Sequence, residues 1–123
     1  MVFQVPESKV NDSANRFEFQ LPGEKKIYSL PKMQYLRAGH SERITALSKR
    51  LRDAKDRDER KKASAPSKET TAVQVELMGL QREIMELYCP GLYDKIENDQ
   101  LDAVVTAWQE ESMVTLGKSQ DAS

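Results

Sequence analysis

The sequence predicts a mainly α-helical protein with a small N-terminal β-hairpin, a helical bundle that gains stability by forming oligomers. Three observations predict it. Residues 17–30 hold two short apolar runs of β-formers around a Pro-Gly pair. Three later segments repeat apolar residues at steps of three and four, the spacing of an amphipathic helix. Apolar residues make up 38% of the 123-residue chain and charged residues 32%, a balance that suits helices with wide solvated faces around a modest core.

Residues 1–15 are polar and read as a flexible arm, with too little apolar surface to offset the entropy of ordering. Phe17, Phe19 and Leu21 alternate with Glu18 and Gln20, the period of a half-buried strand. Pro22-Gly23 marks a turn, and Lys26–Leu30 returns as the second strand. Two strands alone are marginal in water, so the hairpin must lean on helices or on another subunit. Pro31 suits the first turn of a short helix over Lys32–Ala38 that Gly39 ends, and Ser41 is the expected N-cap of the next helix.

That next helix carries a stripe at Ile44, Leu47, Leu51 and Ala54. Beyond Ala54 charges take over, with acid-then-base pairs Asp53–Arg57, Asp56–Arg60 and Asp58–Lys62 at i,i+4, each worth about a few tenths of a kcal/mol. The second half is therefore expected to project into solvent and fray. Residues 16–62 form one region, and 63–69 read as a linker to a C-terminal helical region, 70–113. There Val73, Leu77, Leu80, Ile84 and Leu87 define a helix whose apolar face Val75, Met78, Met85 and Tyr88 widen. Cys89-Pro90-Gly91 stops it. Asn98 is the expected N-cap of a last helix with Leu101, Val104, Val105 and Trp108 on one face. Residues 114–123 read as a flexible tail.

The net charge of −1 offers no general pull toward nucleic acid or an acidic membrane. The middle stretch 49–62 is basic, with eight cationic and four anionic groups, while residues 94–123 hold seven acids and two bases. Interleaved acids and the lack of aromatic residues argue against nucleic-acid binding by 49–62. The lone Cys89 cannot form an internal disulfide, which fits a reducing compartment. No apolar run approaches the length of a membrane span or a signal peptide. The expected location is the cytoplasm.

No catalytic set stands out, so the chain reads as a non-enzyme with no cofactor and no metal. His40 sits at a predicted turn with no acidic partner near it in sequence. One His and one Cys do not make a zinc site of the usual kind. Gly117-Lys118-Ser119 ends like a phosphate-binding loop, but that loop needs Gly at position 112, where Ser112 stands, and a helix after it.

FEFQLPGEKKIYSLPKMQYL, then a charged helix, then DQLDAVVTAWQEES, then VTLGKSQDAS, resembles the tail assembly chaperones of long-tailed bacteriophages. The matching pieces are a Phe-x-Phe strand with a Lys-x-Tyr-Ser-x-Pro return, an Asp-Gln-Leu helix ending in Ala-Trp-Gln-Glu, and a short Leu-Gly-Lys-Ser tail. They cover the two ends, about half of the chain. The resemblance implies non-covalent capture of the tape measure protein, help in recruiting major tail protein, and self-association. It implies action in the host-cell cytoplasm and absence from the mature virion. It also implies a longer product made by a ribosome slipping back one nucleotide. Leu116, Gly117 and Lys118 can be encoded as CTG GGA AAA, which contains the slippery run G GGA AAA. The expected client contacts are Leu77, Leu80, Ile84, Leu101, Val105 and Trp108. The hairpin edge, Phe17, Phe19, Ile27 and Tyr28, is a second expected contact. Two other readings are a structural component of the tail or its connector, and a small nucleic-acid-binding regulator using residues 49–62.

Overall fold

The computed structural model describes the backbone of residues 1–121 and the side chains of residues 1–113. It has β-strands β1 (Arg16–Gln20) and β2 (Ile27–Pro31), and helices α1 (Ala38–Arg60), α2 (Lys68–Tyr88) and α3 (Asn98–Asp121). Mainly α with one N-terminal hairpin is the class the sequence predicts. The chain forms two compact units, one of residues 1–36 and 91–123, the other of residues 37–90. The expected linker is therefore not a boundary. Residues 61–67 are the loop that joins α1 to α2 inside the second unit.

In the first unit, β1 and β2 pair antiparallel, Phe17 opposite Leu30 and Phe19 opposite Tyr28. Leu21 to Glu24 closes the turn with a 3.2 Å hydrogen bond from the Glu24 N–H to the Leu21 carbonyl. Gly23 supplies the left-handed φ of +77° that the third position of a type II turn needs. Phe17, Phe19 and Tyr28 stack along one face, with ring centroids 5.9 and 5.2 Å apart. Pro31 ends β2 and does not open a helix. A single 3₁₀ turn over Met33–Tyr35 replaces the expected Lys32–Ala38 helix. Helix α3 seats on this exit. The Trp108 indole N–H donates to the Pro31 carbonyl at 2.8 Å. One turn later the Ser112 hydroxyl accepts the Met33 N–H at 2.9 Å, and the Ser112 carbonyl accepts the Gln34 side-chain amide. Both Trp108 and Ser112 are buried. Two polar groups thus fix where α3 meets the strand, and the apolar face around them supplies the burial.

The start of α3 lies one residue earlier than expected. The Leu101 N–H bonds to the Glu97 carbonyl, and Gln100 Oε1 reaches back to the Glu97 N–H at 2.9 Å. Glu97 is thus the N-cap, with the third-position Gln of a capping box, and Asn98 is the first helical residue. Leu116, Gly117 and Lys118, the expected frameshift region, lie outside the residues whose side chains are described.

In the second unit, α1 and α2 run antiparallel. Gly39 and Ser41 do not end and start helices: both lie in the first turns of α1, whose N-cap is Arg37. Ile44, Leu47, Leu51, Ala54 and Asp58 of α1 line the contact, as do Thr70, Val73, Leu77, Leu80 and Ile84 of α2. In both helices the steps run three, four, three, four. This is the seam of an antiparallel coiled coil. Leu47, Ala54, Val73, Leu80 and Ile84 are buried in it. Fully burying a Leu or Ile contributes about 1.5–3 kcal/mol.

The second half of α1 does not project alone into solvent. It is held to α2 throughout, and its charges reach across the seam. The loop is clamped at both ends. Lys62 takes the left-handed conformation (φ 53°), with the Lys62 N–H on the Glu59 carbonyl and the Ala63 N–H on the Asp58 carbonyl, both at 3.0 Å. This is a Schellman stop with Lys at the position that Gly favours. Ser67 then N-caps α2, its hydroxyl accepting the Thr70 N–H. Asp58 joins the two ends. Its carboxylate accepts the Ser67 N–H at 3.1 Å and the Thr70 hydroxyl at 2.7 Å. These hydrogen bonds, the Ser67 N–H first, hold the Asp58 pKa below its ordinary 3.8.

Candidate functional site

The surface of the α1–α2 unit carries two features that packing does not consume. The first is a ladder of ion pairs. Arg43 meets Glu83 at 2.6 Å, Arg50 meets Glu76 at 3.4 Å, and Arg57 meets Glu69 at 2.8 Å. The three arginines are spaced by seven along α1 and the three glutamates by seven along α2. Each precedes a seam residue by one position, which places both rows on one side of the hairpin. All six side chains are roughly half exposed. Each pair adds only about 0.2–1 kcal/mol, but the rows fix the register of the two helices.

Between two rungs of the ladder lies a groove of about 370 Å³. Leu47 and Leu80 form its floor, Ala46 and Gly79 its shallow walls, and Arg43 and Glu76 its charged rims. Gly79 costs the helix about 0.8–1.0 kcal/mol relative to alanine. Its backbone does not call for glycine, and a Cβ there would meet nothing within 4 Å. Within this unit no close approach explains it.

The second feature is the outer crest of α2. Val75 and Met78 stand 62% and 66% exposed, one helical turn apart. Single exposed apolar residues are ordinary. Two neighbours on a rigid helix, flanked by Ala72 and Gly79, make a small greasy ridge. The helical period sets Val75 and Met78 away from the Val73–Leu77–Leu80–Ile84 stripe, so the expectation that they widen the buried face is corrected by their exposure.

The expected contact residues divide. Leu80, Ile84 and Trp108 are at most 2% exposed and are core residues of their units, so the expectation that they meet a client is corrected. Leu77, Leu101 and Val105 are half-buried. In the hairpin, Phe17 and Tyr28 are buried on the stacked face and Phe19 is half-buried, while Ile27 is 59% exposed. Only Ile27 of that set offers most of its side chain to solvent. Phe3, 81% exposed between Val2 and Val5, adds an apolar stretch in the N-terminal arm that composition alone had read as polar.

His40 is not a loop residue without a carboxylate. It lies in the first turn of α1 with Nε2 3.5 Å from Glu83 Oε2, the same oxygen that Arg43 holds. Its Nδ1 is buried with no hydrogen-bond partner. Cys89, the one cysteine, is buried. Among the described residues no group of three His, Cys, Asp or Glu side chains could hold a metal ion, and no helix is long and apolar enough to cross a membrane. In the basic stretch, Arg50 and Arg57 are engaged by Glu76 and Glu69, which leaves a more evenly mixed outer face.

No protein-family model matches this chain, and no curated protein and no solved structure matches it either.

Proposed function

We propose that the chain is a tail assembly chaperone of a long-tailed bacteriophage, which captures apolar helices of the tape measure protein without covalent chemistry. The sequence pattern supplies the family. The observation that carries the mode of action is the exposed Val75–Met78 ridge on a helix already braced by α1. Apolar helices dock on apolar helical faces. Methionine, flexible and polarizable, adapts to varied partners. The ridge costs little to keep in water because it is small, yet it offers an aggregation-prone segment something to cover. Major tail protein and a longer frameshifted form are the further partners of this reading.

Co-expression with the tape measure protein of the same phage tests it. The client is expected to stay soluble and to co-purify with the wild-type chain. Val75→Asp with Met78→Asp is expected to abolish co-purification while leaving the helical circular dichroism intact, since both side chains are exposed. A client that stays insoluble beside the wild-type chain refutes the reading. Detection of the chain in purified virions by mass spectrometry favours a structural tail component instead.

A further inference from the structure

Along the ladder side of the α1–α2 unit the charged side chains are roughly half exposed, and their signs are sorted into two rows. One helix presents only arginines to that face at the ladder positions, Arg43, Arg50 and Arg57. The other presents only glutamates, Glu69, Glu76 and Glu83. Between them runs the groove floored by Leu47 and Leu80. A partner that covers this face must bring a row of acid opposite α1 and a row of base opposite α2, at a repeat of seven residues, with an apolar strip between. The same face of a second copy brings that pattern.

We propose that this face is a self-association surface that joins two α1–α2 hairpins into an antiparallel four-helix bundle. The charges choose how the copies meet. Turning the second copy about a two-fold axis that runs along the hairpin lays its α2 on the first copy's α1. Heights along the axis are unchanged by that rotation. Arg43, already level with Glu83 of its own chain, then faces Glu83 of the second copy, and each further rung is shared in the same way. A two-fold axis across the hairpin lays α1 on α1 and brings arginine row against arginine row, which opposes association. The first arrangement makes every adjacent pair of helices antiparallel, as in an up-and-down bundle. It also sets both 61–67 loops at the same end. Ala46 and Gly79, the small residues of the groove walls, let the two layers approach closely, which gives Gly79 the close neighbour it lacks in a single copy.

Helices of this length span about 30 Å, and two side by side at 8–10 Å spacing cover roughly 600 Å² per copy. A standard stable interface buries about 800 Å² per partner. The expected dimer is therefore modest, in the micromolar range, and weakened by salt because its rows are exposed. A two-fold interface of this kind closes on itself and stops at two copies. The assignment rests on the geometry of this unit and stands whether or not the chaperone reading does.

Sedimentation velocity of the full chain, from sub-micromolar to millimolar, tests the proposal. The expected result is a monomer–dimer equilibrium that shifts toward monomer at high salt. A monomer at every concentration overturns it. Gly79→Leu puts a strong helix former at an exposed helical site, so its melting temperature is expected to hold or rise while dimerisation weakens at least tenfold. An unchanged dimer in a folded Gly79→Leu chain overturns it. Ala46→Glu provides an independent block of the same groove and carries the same expectation. Ser64→Cys reports the axis: a short bis-maleimide is expected to cross-link the two loops in high yield, whereas wild type, whose Cys89 is buried, does not cross-link. No cross-link in a dimeric Ser64→Cys chain overturns the arrangement.

Discussion

Replacing Trp108 with phenylalanine removes one hydrogen bond and part of one ring from the centre of the first unit. The indole N–H donates to the Pro31 carbonyl at 2.8 Å, and Trp108 is 2% exposed. Pro31 is itself fully buried, so water does not replace the lost donor. Leaving a buried carbonyl unsatisfied costs about 1–3 kcal/mol. The space vacated by the outer, six-membered part of the indole forfeits packing worth about 1–2 kcal/mol more. The expected total is about 2–5 kcal/mol, a large share of the roughly 5–15 kcal/mol that stabilises a domain.

Urea unfolding followed by far-ultraviolet circular dichroism measures it. With a slope of about 2 kcal/mol per molar urea, the middle of the usual range, the midpoint of the transition that reports the first unit should fall by roughly 1–2.5 M. In wild type, Trp108 is the only tryptophan, so its fluorescence identifies which transition that is. A benzothienyl analogue of Trp108, with sulfur in place of the N–H, separates the two terms. It should lose about 1–3 kcal/mol through the carbonyl alone. A Trp108→Phe chain within about 0.5 kcal/mol of wild type, the range of an ordinary surface substitution, refutes the idea that this bond anchors α3 to the strand exit.

Ser112→Ala should cost about 1–2 kcal/mol by leaving the Met33 N–H without its 2.9 Å acceptor, again read by urea unfolding. Lys62→Gly should stabilise the second unit by about 0.5–1 kcal/mol, since glycine takes the left-handed φ of 53° without a Cβ clash; a lower melting temperature contradicts the Schellman geometry. Asp58 has a folded pKa lowered from 3.8, so its contribution is complete above that value and is lost as pH falls through the lower, folded one. Asp58→Asn should therefore be less stable than wild type at neutral pH, with the gap closing below about pH 4. Denaturation at a series of pH values checks it, and a gap independent of pH counts against the clamp.

Much of the architecture was legible because it depends on local chemistry. Phe17, Phe19 and Leu21 alternate at the period of a strand, and Pro22-Gly23 can hardly avoid a turn. Val73 to Ile84 repeats at the period of a helix, and Cys89-Pro90-Gly91 cannot extend one. The misreadings share a cause. Gly39 reads as a stop and Ser41 as a cap from their own propensities, yet α1 begins before both of them. The charges after Ala54 read as partners of one another at i,i+4, the only neighbours a lone helix offers. In the fold Arg57 reaches Glu69 and Asp58 reaches Thr70, both on α2, and Ser67, its N-cap. The candidate site suffered most. Leu80 and Ile84 have the apolar character of contact residues, and they use it on α1.

By itself the sequence determined the two strands and the middle of each long helix, because those follow from side-chain periodicity and turn chemistry within a few residues. Tertiary structure alone decided which apolar residues of a stripe are spent inside and which, like Leu87, remain outside. It also decided that two rows of opposite charge line one face. Burial and charge pairing depend on what lies across a gap in space, between residues far apart along the chain, and periodicity along one segment carries no record of its neighbour.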